Sequence, residues 1–458
     1  MRTLLPLAAA ATLLAAPSAQ AQPLGGEQPM LREIAAAVSA ARERATDEKL
    51  VGFGTRHAGS DTKSATRGIG AARRWIAGEF TSISKDCGGR LQIETPSQVM
   101  TAERLAGPTE IQDVLAVLPG TTDPGRVVVI SGHYDSRVTD AKNFTSDAPG
   151  ANDDGSGTTA VIEAARVLCK RQFPATIVFA ALAGEEEGLL GGKVLADYAV
   201  EKGWRVEADL NNDIVGNTEG LSGARDNTHV RVFSEGTRTT ETAEQADRRR
   251  YNGGEVDSPS RNLARFMDGL ADRYLTNFDV VMVYRTDRFS RGGDQVEMLK
   301  KGFPAVRVTE AVENYTRQHQ DLRTENGIKY GDTLDGVDFP YLAQVTRLNA
   351  VSLAALAAAP APPTGVEISG AVSADTTVKW KPAPDAAAYR VWWRSTTDPQ
   401  WKYSRVVGPT GETKLVGVNI DDWFFGVSAI GKDGFESPVV FPGPAGTFER
   451  GGVSSTSK

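Results

Sequence analysis

The sequence predicts an α/β fold: an α/β/α sandwich around a mostly parallel mixed sheet, followed by a small all-β sandwich. Three observations carry this reading. Short apolar runs without alternation, at 127–130 and 177–182, suit strands buried on both faces by helices. Helical periods lie between and around them, giving the order strand, helix, strand, helix. Beyond about residue 358 the sequence turns strand-only, and five of the seven tryptophans fall there: Trp380, Trp392, Trp393, Trp401 and Trp423. A chain of 458 residues, 40% hydrophobic, is long enough for one large core and a smaller domain.

The chain opens on a targeting segment. Arg2 supplies a positive start, Leu4 to Ala16 an apolar run, and Ala19-Gln20-Ala21 a small-x-small cleavage site. The run is too short to span a bilayer, so residues 1–21 read as a signal peptide and the product as secreted or periplasmic. The unit from 22 to 358 comes next. In it Ile69, Ala72, Ile76 and Phe80 have helical spacing, Thr158 to Leu168 forms a helix behind Asp153 and Asp154, and Tyr341 to Ala358 makes a long closing helix. Proline and alanine dominate a stiff linker at 359–364. From 365 to 445 the stretches 377–380, 389–393 and 425–430 alternate inward and outward, with turn residues at 431–434. This part resembles a fibronectin type III module with Trp380 and Tyr389 as core anchors, and 446–458 reads as a flexible tail. A tail module of this kind is open to contact with a surface or polymer, although fold resemblance alone assigns no function.

The formal charge of -7 argues against a nucleic-acid partner, which needs a basic face. No run after the leader is apolar and long enough to insert stably in a membrane. Cys87 and Cys169 are expected to form one disulfide in an exported protein, two buried thiols being the alternative. Two cysteines cannot build a zinc ribbon, so any zinc falls to histidines and carboxylates.

His133, Asp153, Glu186, Asp213 and His319 are five metal-type ligands, and several stand just after strand-like runs. Each has a plainer reading alone. His133 suits a satisfied polar residue, Glu185-Glu186-Glu187 suit acids at a helix N-terminus, and Asp153-Asp154 suit helix caps. Together they fall outside the carboxyl ends of strands, where open α/β sheets place their ligands. Acids clustered there repel one another, few basic residues are near them in sequence, and cations would resolve the conflict.

The block His-Tyr-Asp-Ser at 133–136, Gly-Ala-Asn-Asp-Asp-Gly-Ser-Gly at 150–157, Glu-Glu-x-Gly-Leu at 185–189, and the segments of Asp213 and His319 carry a specific resemblance. From about Gly52 to Ala358 the chain is similar to the MH-clan dizinc exopeptidases, which include bacterial leucyl aminopeptidases. The resemblance implies two zinc ions bridged by Asp153, one also held by Glu186 and His319, the other by His133 and Asp213. It implies that Asp135 orients His133 and that Glu185 is the general base of a hydroxide attack on an N-terminal peptide bond. Peptide or protein N-termini are then the substrates.

Other residues fit less closely. Asp287 to Asp294 resembles a pocket-wall loop whose acid is usually followed by His, and here Gln295 stands there. Tyr315 suits either a bond to a tetrahedral intermediate or a core position. His57, in a structural element like the family's, reads as a non-ligand, and His229 as a surface residue. The rival activities are a carboxypeptidase or dipeptidase, with Arg288 or Arg291 receiving a free carboxylate, and a one-zinc glutaminyl cyclase. A non-catalytic binding protein is the reading from another class. No Gly-x-Ser-x-Gly elbow or Gly-Lys-Ser/Thr loop supports a serine hydrolase or a nucleotide site. All expected ligands precede Pro363, so deleting the chain beyond that residue is expected to spare cleavage of small substrates.

Overall fold

The computed structural model describes residues 26–450; the expected leader, and residues 451–458 of the expected tail, lie outside them. A mixed eight-stranded sheet organises the chain. Its order is Gln92–Glu94, Val114–Leu118, Ala175–Leu182, Asp123–His133, Arg205–Asn212, Ala305–Glu310, His229–Phe233 and Asp279–Val283. The four strands from Ala175–Leu182 to Ala305–Glu310 run parallel, and antiparallel neighbours flank them.

Successive side chains of a strand point to opposite faces, so an unbroken apolar run serves two cores at once. Val128, Ile130, Ile177, Phe179 and Ala181 join one core. Val127, Val129, Val178, Ala180 and Leu182 join the other, with Leu195, Ala199, Met298 and Leu299 from the covering helices. The closing helix Phe339–Ala358 is apolar nearly all round, and it is buried accordingly. Asp338 caps it, accepting the Tyr341 N–H at 3.2 Å. The Ile69 helix runs on to Asp86, and Cys87 just beyond it is disulfide-bonded to Cys169 at the end of Gly157–Leu168, with Cα atoms 5.9 Å apart.

Two glycines allow the close approach on which the site depends. A Cβ at Gly132 would lie 2.7 Å from the Gly157 carbonyl carbon. One at Gly157 would lie 2.3 Å from both the Asn212 carbonyl oxygen and the Asp154 carboxylate. The end of the His133 strand and the start of the Gly157 helix therefore meet only as glycines.

Toward the C-terminus come two three-stranded antiparallel sheets, Thr364–Ser369 with Thr376–Lys381 and Glu412–Leu415, and Tyr403–Val407 with Ala388–Ser395 and Trp423–Ile430. Trp380 and Tyr389 are buried in their shared core, with ring centroids 5.2 Å apart. The segment joining this part to the large sheet is packed down rather than free. Ala359 is buried, and its carbonyl accepts from Arg126 Nη2 at 2.6 Å. A second tie is ionic. Asp257, fully buried, accepts from Arg265 Nη1 at 3.0 Å and from Arg394 Nη2 of the second part at 2.8 Å.

Candidate metal centre

His133 closes the Asp123–His133 strand, and Asp213 comes immediately after Arg205–Asn212, its neighbour in the sheet. Asp153 sits in an irregular turn, Ala151–Ser156, ahead of the Gly157–Leu168 helix, and its peptide bond to Asp154 is cis. Glu185 and Glu186 lie in the loop after Ala175–Leu182. The next helix starts only at Leu190, behind a left-handed Leu189, so these acids stand outside its first turn. His319, at a positive φ of 52°, comes from the excursion after Ala305–Glu310.

These five side chains converge. Among the described residues two groups have ligand atoms within 4.8 Å of one another: His133, Asp153 and Asp213, and Asp153, Glu186 and His319. Asp153 belongs to both. Its Oδ1 lies 3.3 Å from His133 Nε2, and its Oδ2 lies 2.9 Å from His319 Nε2. Glu186 Oε1 is also 2.9 Å from His319 Nε2, and Asp213 Oδ1 is 3.9 Å from His133 Nε2.

Burial works against a charged ring at His319, but Glu186 and Asp153 outweigh it and hold its pKa up at about 10. Burial likewise opposes charge at His133, and the carboxylates led by Asp135 raise its pKa well above the ordinary value. Desolvation pushes Asp153 up, but the two imidazoles hold it well below the usual carboxylate range. Glu185 moves the other way, raised by burial and by Asp213, Glu186 and Asp294, against the pull of His133. The cluster therefore draws positive charge. Both ring nitrogens of His133 are buried without a hydrogen bond among the described residues. Unmade bonds on nitrogen donors, beside crowded acids, fit divalent zinc.

Asp135 stands 3.5 Å from His133 Nδ1, beyond a hydrogen bond, and spends its oxygens on the Glu185 and Glu186 N–H groups at 3.3 and 3.1 Å. It thus ties the His133 strand end to the Glu185–Glu186 loop. Gln295 is buried and donates to Asp287 Oδ2 at 2.6 Å. Tyr315 is exposed, which removes its core reading. His57 lies outside both groups, its Nε2 3.0 Å from Glu187 and 2.9 Å from the Ala141 carbonyl, and His229 pairs with Asp226.

Four contributors are not foreseen from the sequence. Asp154, read as a cap, accepts from the backbone N–H groups of His133, Gly157 and Ile214 at 3.0, 2.8 and 3.2 Å, so it fixes three segments at once. Arg307 Nη1 lies 2.7 Å from Asp213, and Arg137 Nε lies 2.8 Å from Glu186, so basic groups distant in sequence reach the acids in space. Asp332, buried, accepts the Asn152 N–H at 2.9 Å and the Asp153 N–H at 2.7 Å. Sequence patterning holds no signal for the last three, which are single charges in unremarkable segments. Asp332→Asn turns one of those acceptors into a donor behind Asp153. We expect zinc affinity to fall about 10- to 100-fold, read by chelator competition, with the fold retained by circular dichroism. Unaltered affinity would show that Asp153 needs no such support.

A sequence profile described as "Peptidase family M28" matches residues 113–337. A probable zinc metalloprotease of Pyrenophora teres f. teres is 45% identical over 421 residues, covering 91% of this chain and 87% of its own. Another probable zinc metalloprotease, from Leptosphaeria maculans, is 46% identical over 91% of this chain and 96% of its own. Among solved structures, the LapA aminopeptidase of Legionella pneumophila superposes with a TM-score of 0.52 at 18% identity, over 75% of this chain and 77% of its own. LapB of the same organism gives 0.51 at 19% identity, over 72% and 75%. At that identity the likeness is one of fold.

Proposed function

This chain belongs to peptidase family M28, and from that premise we propose that it is an exported zinc aminopeptidase acting at peptide N-termini. The observation that carries the two-metal part is the posture of Asp153, whose two carboxylate oxygens face two different imidazoles. On this reading His133 and Asp213 would hold one zinc and Glu186 and His319 the other, with Asp153, common to both groups, contributing to each. Bound zinc would supply Lewis acidity, drawing the pKa of water down from about 15.7 toward ~7 and polarising a carbonyl.

The chain's own groups do the rest. Glu185, in neither ligand group, would take a proton at its carboxylate from the attacking water and return it to the departing amine. Asp135 and Asp154 hold the backbone around it, so the base and the ligands keep their spacing. One observation supports export: Cys87 and Cys169 are bonded. The paired antiparallel sheets around Trp380 and Tyr389 support a fibronectin type III-like reading of 365–445.

Elemental analysis is expected to give two zinc ions per chain, and chelation to abolish release of p-nitroaniline from an aminoacyl-p-nitroanilide. An N-blocked dipeptide should resist cleavage. Preferential cleavage of the blocked peptide would replace this reading with the carboxypeptidase one, and metal-independent activity would remove both.

A further inference from the structure

Beside the ligand groups lies a cationic cluster that the mechanism does not use. Glu313, almost buried, is faced by three guanidinium groups: Arg231 at 2.7 Å, Arg291 at 3.3 Å and Arg288 at 3.5 Å. Two carboxylates, Glu313 and the Asp287 that also pairs with Arg288, stand against these three charges, and Asp287 is shared with Arg307. The buried Nη1 of Arg288, on a side chain only 9% exposed, makes no hydrogen bond among the described residues and meets Glu313 only as a 3.5 Å ion pair. A buried charged donor held at so long a contact is under-satisfied, and a closer acceptor would relieve it.

Two connections place this cluster against the reaction site. Arg288 Nε lies 3.3 Å from Asp287, and Asp287 in turn lies 3.6 Å from Arg307, which pairs with Asp213 at 2.7 Å. On the other side Gln318, which directly precedes His319, donates to Glu313 at 3.3 Å. The surplus charge thus sits between the Asp213 side and the His319 side. Arg291, about one-third exposed, and Phe289, 80% exposed, open it to solvent.

We propose that Arg288 and Arg291 form a carboxylate-receiving subsite, so that the enzyme favours peptides carrying an acidic group next to the bond it cuts. This rests on the aminopeptidase reading and deepens it by naming a substrate class. A planar guanidinium matches a carboxylate in charge and in fork geometry, and an amide of the same shape loses both the charge and one acceptor. Glu313 holds the guanidinium groups in place before a peptide arrives. Gln295 donates to Asp287 at 2.6 Å and so occupies one oxygen of that acid.

The acidic group can come from three sources, which three substrate pairs separate. Leu-Asp-amide against Leu-Asn-amide tests a side chain after the bond, and Leu-Gly against Leu-Gly-amide tests a free C-terminus. Glu-p-nitroanilide against Gln-p-nitroanilide tests the N-terminal side chain. In at least one pair the acid should lead in kcat/KM by about tenfold or more, as a charge-assisted pair allows. Arg291→Gln, at the more exposed position, and Arg288→Gln should each reduce that ratio severalfold. Cleavage of all three pairs without preference for the acid overturns the subsite. So does a ratio unmoved in both variants while their thermal midpoints fall, the signature of a purely structural ion cluster. No cleavage of any of these unblocked substrates overturns the aminopeptidase reading, and the subsite with it.

Discussion

Glu185→Gln is expected to lower kcat about 10²- to 10⁴-fold while the protein keeps its fold and its zinc. The substitution preserves shape and removes a proton acceptor. Glu185 is in neither ligand group, so metal content should stay at the wild-type value. Its backbone N–H is held by Asp135 at 3.3 Å, and that bond does not depend on the side chain. Stability should not fall either. Burial, joined by the like charges of Asp213, Glu186 and Asp294, disfavours a charged Glu185 more than His133 favours it, so a neutral side chain of the same shape removes a penalty. The measurement is kcat on a leucyl amide together with zinc per chain and the thermal midpoint. Wild-type turnover in a zinc-replete variant would remove Glu185 as the base. Lost turnover with lost zinc would instead assign it to metal retention.

Much of this arrangement is legible in the sequence because chemistry and secondary structure share the same boundaries. The valine run that ends at His133 is the strand, and the histidine is where the strand stops. The alanine-rich run before Glu185 and Glu186 behaves likewise. The glycines of 150–157 mark places where no side chain fits, so the motif records a close approach as well as a ligand. What escapes is pairing between single residues far apart. Arg307 stands beside Asp213, Arg137 beside Glu186, and Asp332 behind Asp153, joined only by the way the sheet brings strand ends together. A lone arginine in a strand or a lone aspartate before a helix has no period and no spacing to betray it. The acids are therefore less isolated than their neighbours in sequence suggest. Even so, the two guanidinium groups leave both nitrogens of His133 without a hydrogen bond among the described residues.

The same limit governs the second part of the chain, and there it reverses an expected result. Proline and alanine at 359–364 read as a spacer, which makes the β-rich part look dispensable. In the structure the seam is buried and polar. Arg394 supplies one of the two guanidinium groups on fully buried Asp257, and Arg265, the other, also donates to the Pro399 carbonyl at 2.6 Å. Trp401 Nε1 donates to Asn262 at 3.0 Å, and Arg238 reaches the carbonyls of Thr447 and Glu449 at 2.8 and 2.9 Å. Phe435 packs into the large core itself. Cutting after Pro363 strips all of these partners from groups that stay behind, and an unpaired buried charge is among the costliest single defects. We therefore expect the truncated chain to melt well below the intact one, or to be recovered insoluble, although it keeps every proposed ligand. Arg394→Ala removes one cation of the buried Asp257 together with the ring contacts of Arg394 to Trp401 and Phe424, with an expected loss of about 3–5 kcal/mol in denaturant unfolding. If the truncated chain melted with the intact one and cleaved small amides at the same rate, the seam would be a contact between independent units. If it folded stably but lost activity, the β-rich part would have a direct role at the site.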